Sequence, residues 1–134
     1  MGASQRRKGQ QGEREFARSL REQGGPFIAR NLNQSAVGGA DFVTLEPWCI
    51  ECKRQERMAL GAWWVQACEQ TPAGYYPALA YRASRQPWRI VVPLDLAVAP
   101  LSPHEGTFHD ALWATLSIAG FCHLDHRIIR RLAA

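Results

Sequence analysis

Asp41, Glu51 and Lys53, within residues 38–55, are the side chains whose types and spacing could carry chemistry. The two carboxylates are hard oxygen ligands of the kind Mg2+ takes one or two at a time, with waters and phosphate oxygens completing its shell. A metal held there lowers the pKa of a bound water and polarises a phosphoryl group. The lysine ammonium can orient or deprotonate the attacking water and neutralise charge on the phosphorane. A Glu-x-Lys triplet alone is ordinary on an exposed strand. The Gly38-Gly39-Ala40-Asp41 placed ten residues ahead of Glu51 turns the group into a candidate site for phosphodiester hydrolysis.

Two strands must position these groups. Residues 42–45 and 48–52 are rich in β-branched and aromatic types, and Pro47 marks the turn between them. That pattern reads as a hairpin. Alternation puts Cys49, Glu51 and Lys53 on one face, with Ile50 and Cys52 on the core side. A hairpin also sets the start of its first strand, Asp41, beside the end of its second. Ahead of it, residues 10–23 read as a helix with Glu13, Phe16, Ala17 and Leu20 on one stripe. Glu13 opens an otherwise apolar face and needs a partner, which a shared metal would supply. Glu15 falls with Arg18, Ser19 and Glu22 on the solvated side, so Glu15→Gln is expected to be far milder than Glu13→Gln. Gly24, Gly25 and Pro26 stop the helix.

Asp41…Glu51-Cys52-Lys53 resembles the PD-(D/E)XK nuclease signature, with Ala40 where the family has its proline. That proline shapes a turn and is not a ligand, so the departure is minor. Lys8-Gly9-Gln10-Gln11-Gly12-Glu13-Arg14 resembles the opening of archaeal-type Holliday junction resolvases and their phage-encoded relatives. The resemblance covers roughly residues 6–97 by element order. It implies an α/β, restriction-endonuclease-like fold: a mixed β-sheet flanked by helices in a single domain. It further implies a metal set of Glu13, Asp41, Glu51 and the Cys52 backbone carbonyl, with Lys53 acting on water. Arg30 would hold the scissile phosphate, and Gln66 would hydrogen-bond an active-site group. The cofactor implied is Mg2+, with Mn2+ able to substitute. The substrate implied is a four-way or other branched DNA junction. Paired cuts in two strands then require a two-fold homodimer.

The rest of the chain sets bounds. A length of 134 residues with 46% hydrophobic content suits one core, and no apolar run approaches the ~20 residues that span a bilayer. No signal peptide is read after Arg6-Arg7-Lys8, and a cytoplasmic protein of a bacterial or phage-infected host cell is expected. The net charge is +4, and 14 of the 16 basic residues are arginine, whose planar fork suits phosphate. Residues 1–8 are expected to be a flexible basic arm, with Arg6, Arg7 and Lys8 touching DNA. Arg14, Arg54 and Gln55 are grouped with them as DNA contacts. Residues 9–98 form the expected nuclease core.

Cys49 and Cys52 make a C-x-x-C, but strand positions three apart diverge, so buried reduced thiols are expected rather than zinc. Residues 58–70 read as a second helix, apolar nearly all round, whose Trp63 and Trp64 belong in a core or dimer interface rather than under a stacked base. Residues 77–82 and 88–92 read as strands, and 93–97 as a short helical turn. Residues 99–134 are expected to be a helical extension of the same domain, helical over 108–118. Its tail is read as a dimer contact or a DNA-facing lid. No membrane and no organic cofactor are expected. The expected function is junction resolution. Another superfamily nuclease of restriction, repair or flap type rests on the same residues. A non-catalytic DNA-binding module is the reading from another class, and the intact set Glu13, Asp41, Glu51 and Lys53 speaks against it.

Overall fold

The computed structural model describes the backbone of residues 3–25, 28–30, 42–44, 48–98 and 113–133, and side chains within 9–25, 48–97 and 113–128. The elements run α1 (Ala3–Glu22), β1 (Ile28–Arg30), β2 (Phe42–Thr44), β3 (Trp48–Arg54), α2 (Leu60–Gln70), β4 (Tyr76–Arg82), β5 (Arg89–Pro93), α3 (Leu94–Val98), β6 (Trp113–Ser117) and α4 (Ile118–Ala133). The six strands lie side by side in chain order. All neighbours are antiparallel except β3 and β4, which run parallel because α2 carries the chain back between them. This is the mixed sheet flanked by helices that the sequence implied, in one domain.

Alternation divides the sheet cleanly. Trp48, Ile50, Ala78, Ala80, Ile90 and Val92 point to one face, where Phe16 and Leu20 of α1 and Phe121 and Ile128 of α4 cover them. Leu79 and Val91 point to the other, under Trp63, Trp64 and Ala67 of α2. Trp64 is fully buried and Trp63 nearly so, which makes the tryptophan pair core. All four cysteines are free thiols; Cys49 and Cys122 are buried, Cys52 and Cys68 half-buried.

Three expectations are corrected. First, α1 begins at Ala3, so the backbone of residues 3–8 is helical. Alanine, glutamine, arginine and lysine are all good helix formers, and they carry the helix through Gly9. Second, residues 113–117 are a strand, although 108–118 has helical spacing; residues 108–112 lie outside the described residues. Ala114 and Leu116 pack into the α1 and α4 face opposite Val92 and Ile90, so pairing with β5 decides between two periods that a short apolar run cannot separate. Third, the tail is more than an outer contact surface, because its helix α4 packs into the core. Ser117 caps α4 by accepting a hydrogen bond from the Gly120 N–H (3.0 Å). The helix then buries Phe121, Cys122, Leu124, Asp125 and Ile128.

α1 is closed as the sequence indicated. Gly24 has φ +71°, Gly24 N donates to Arg21 O and Gly25 N to Leu20 O, a Schellman ending that favours glycine. His126 of α4 donates from Nε2 to the Gly24 carbonyl (3.0 Å), so that nitrogen carries the proton.

The α1–β3 contact is close enough to test with two glycines on the same helix. Gly9 has open space around it, and Gly9→Ala is expected to stabilise by up to about 1 kcal/mol from helix propensity. At Gly12 a Cβ would stand 2.9 Å from the Arg54 Cβ. There the forced shift, costing about 1–3 kcal/mol, should outweigh the same propensity gain. Urea unfolding of the two variants should move in opposite directions. Equal gains would mean that α1 is not seated on β3 through this point.

Candidate active site

β3 carries the candidate chemistry in a gradient. Its first four residues are buried and its last three half-exposed, so the strand emerges from the core between Glu51 and Cys52. Glu51 is 5% exposed, and it and Asp125 are the buried carboxylates among the described residues. Glu51 stands in register with Leu79 of β4, and Lys53 with Tyr81, both on the α2 face. A carboxylate at the boundary of an apolar layer is costly to hold without partners of opposite charge.

β2 pairs with β3 through Phe42↔Ile50 and Val43↔Cys49, the antiparallel hairpin read from sequence. Asp41 lies outside the described residues. It nonetheless precedes Phe42 in the chain as Glu51 follows Ile50.

The backbone of β3 is also informative. Gln55 N donates to Arg82 O (3.1 Å). Odd-numbered residues of β3 therefore turn their N–H and C=O toward β4, and even-numbered ones, Cys52 among them, toward β2. The Cys52 carbonyl thus points toward β2.

α1 supplies the remaining acid from the other face of the sheet. Glu13 is half-buried, on the stripe of Phe16 and Leu20. It lies on the face of the sheet opposite Glu51. Glu15 corrects an expectation. It is not simply solvated: it receives Arg82 Nη1 at 3.1 Å and lies 3.4 Å from Arg54 Nε. Arg54 is 16% exposed and seated against Gly12, so it ties β3 to α1 and does not stand out as a free DNA contact. No sequence signal linked Glu15 to Arg82, 67 residues away. Glu15→Gln should lower stability by about 1 kcal/mol, between the values of exposed and buried ion pairs. A thermal melt checks this, and an unchanged Tm would show the network to be idle.

The other candidates are placed as follows. Arg14 and Gln55 are exposed. Arg6, Arg7 and Lys8 fall within α1 and Arg30 within β1, with side chains outside the described residues. Gln66 is a correction: it is exposed on α2, whose buried residues are Trp63, Trp64 and Ala67. At 100° per residue Gln66 points roughly 110° away from the centre of that face. α2 is apolar nearly all round, which is why the sequence could not tell which side would pack.

The donor types suit a hard divalent cation: the Glu51 carboxylate and the neighbouring Cys52 carbonyl, with Glu13 on the α1 side of the sheet. Among the described residues no group of three or more His, Cys, Asp and Glu stands together to hold a metal ion, so a complete set needs Asp41. Cys122, His123, Asp125 and His126, the other ligand-type cluster in the sequence, are divided. Asp125 accepts from Trp48 Nε1 (2.8 Å), while His126 faces Gly24.

A mixed sheet flanked by helices, with Glu-x-Lys emerging from the strand that leads into the crossover helix, defines a nuclease of the PD-(D/E)XK type. The chain belongs to the family described as "Phage putative PDDEXK endonuclease", whose model matches residues 4–115. Among solved structures it is similar to Archaeoglobus fulgidus Hjc, described as a Holliday junction resolvase from an archaeal hyperthermophile. The likeness has a TM-score of 0.50 at 19% identity, over 85% of this chain and 87% of that one, and shows a shared fold. A search of curated proteins found no match. Among the described residues no helix is long and apolar enough to cross a membrane.

Proposed function

We propose that this endonuclease cuts DNA at four-way junctions, as a homodimer and with Mg2+. The observation that carries the nuclease chemistry is the pairing of a buried Glu51 with a half-exposed Lys53 on one face of β3. Asp41, which immediately precedes Phe42 of β2 in the sequence, is the second carboxylate of this proposal. Glu51, Asp41, Glu13 and the Cys52 carbonyl would hold the metal. When bound, Mg2+ supplies an acidified water and a polarised phosphoryl oxygen. Lys53 orients the attacking water and donates to the phosphate oxygen where charge builds. Burial of Glu51 excludes bulk water from one side of the site and fixes its carboxylate before substrate arrives.

The junction reading is supported by the fold shared with a protein described as a junction resolvase and by the motif order from Lys8 to Lys53. Two-fold symmetry follows from the need for two cuts. A cytoplasmic site of action in a bacterial or phage-infected cell belongs to the same proposal. The test is incubation of a labelled four-way junction, a linear duplex, a flap and a single strand with the protein in Mg2+. Nick positions are mapped on a sequencing gel, and mass is measured by light scattering. Symmetric paired nicks near the branch point of the junction, from a dimer, are expected. Equal cutting of duplex or flap would discard junction specificity and keep the nuclease.

A further inference from the structure

The strand registers draw one line across the catalytic face: Lys53↔Tyr81, Tyr81↔Arg89 and Arg89↔Ser117, one residue from each of four neighbouring strands. Residues in register share a face, so Tyr81 and Arg89 lie on the same side as Glu51 and Lys53. One step back, Glu51, Leu79 and Val91 are buried at 5%, 0% and 0%. On the line itself Lys53 and Tyr81 are half-buried and Arg89 is exposed. The cover that α2 gives this face therefore stops at this row. What emerges is a polar ledge leading away from the site.

Its charge is of one sign. No carboxylate occupies the row. Glu51, one step back on the same face, is buried, and two other acids near this end of the sheet are engaged elsewhere: Glu15 with Arg54 and Arg82 on the opposite face, and Glu56 with the N–H and hydroxyl of Ser84. Among the described residues Arg89 has no ion-pair partner. At about 4.8 Å per strand, Arg89 stands about 10 Å from Lys53. That is the axial rise of about three nucleotides in one strand.

Resting on the nuclease reading above, we infer that the Lys53–Tyr81–Arg89 row is the track on which the phosphodiester backbone lies as it leaves the scissile position. Arg89 grips a phosphate with its planar fork, and Tyr81 offers a hydroxyl donor between the two cations. Arg89 is then a binding residue that sets how substrate is laid across Glu51 and Lys53, and it takes no part in bond breaking. Ser117, at the end of the line, is already spent as the α4 cap and is left out of the track.

The test is fluorescence anisotropy of a labelled four-way junction in Ca2+ at several NaCl concentrations, with single-turnover cleavage in Mg2+ alongside. Arg89→Ala should weaken binding at least about threefold and lower the slope of log affinity against log salt by about one. The saturating cleavage rate should stay unchanged while the half-saturating protein concentration rises. Arg89→Lys should restore most of the slope. Arg21→Ala, which removes the same charge from an exposed position on the helix covering the other face, is the control and should leave both readouts within about twofold. If the wild type binds and cuts while Arg89→Ala behaves as Arg21→Ala does, the track is wrong and the nuclease stands. If the wild type neither binds nor cuts nucleic acid, both readings fall.

Discussion

Glu51→Gln and Asp41→Asn are each expected to reduce cleavage by at least about a hundredfold while DNA binding holds or tightens. Both substitutions keep side-chain volume and remove only the negative charge and its capacity to hold a divalent cation. Binding should survive because neither residue is a cation gripping phosphate. It should tighten where a carboxylate otherwise repels the backbone. For Glu51 the fold adds a second reason. Its carboxylate is 5% exposed, so an amide there is easier to bury, and the variant should melt no lower than wild type. Lys53→Ala should lose cleavage with unchanged metal dependence, because it removes the group that orients water. Glu13→Gln should be far more damaging to cleavage than Glu15→Gln, whose effect falls on the Arg54 and Arg82 ties. Single-turnover assays with parallel binding titrations check all of these. Joint loss of binding and cutting in Glu51→Gln would argue that the carboxylate is structural.

The second large effect concerns stability. Trp48 is 1% exposed, its ring centroid lies 4.8 Å from that of Phe121, and its Nε1 donates to Asp125 Oδ1 at 2.8 Å. This one residue fastens the first position of β3 to α4. Trp48→Phe keeps an aromatic ring but leaves the Asp125 carboxylate buried without its donor, which should cost about 2–4 kcal/mol at neutral pH. Burial raises the Asp125 pKa, partly offset by the Trp48 hydrogen bond and by the charge of His126. An acid raised in the folded state holds its proton to higher pH than the unfolded chain does. Its contribution is therefore fullest below the unfolded carboxylate value near 4 and is lost as pH rises through the folded value. Asp125→Asn, whose amide oxygen can still accept from the indole, should remove that loss. It should match wild type near pH 4, exceed or equal it at pH 7, and flatten the profile between. Urea unfolding across that range is the measurement. A strong destabilisation by Asp125→Asn at pH 7 would mean that the ionised carboxylate is needed there.

These two predictions also mark what the sequence could and could not disclose. The shared face of Glu51 and Lys53 was legible because a strand has a period of two, and the β2–β3 hairpin was legible from its two apolar runs. Glu13, Phe16 and Leu20 were legible from the helical period. Trp48 and Asp125 lie 77 residues apart, and Glu15 and Arg82 lie 67 apart; neither pair leaves a local pattern. Residues 113–117 were misread because Trp113, Leu116 and their neighbours fit either period, and only the exposed edge of β5 selects the strand. Gln66 was misplaced because an apolar helix gives no orientation until its partners are known. The row from Lys53 to Arg89 needed the order of the strands, which alternation within each strand does not supply.

The central claim is metal-dependent hydrolysis at Glu51 and Lys53, and the most direct measurement is the cleavage rate of one labelled four-way junction by the wild-type protein in Mg2+, in Mn2+, in Ca2+ and in EDTA. The expected result is cutting in Mg2+ and Mn2+, binding without cutting in Ca2+, and no cutting in EDTA, with restoration when Mg2+ is returned. Cutting at an undiminished rate in EDTA, or binding with no cutting in any metal, would contradict it.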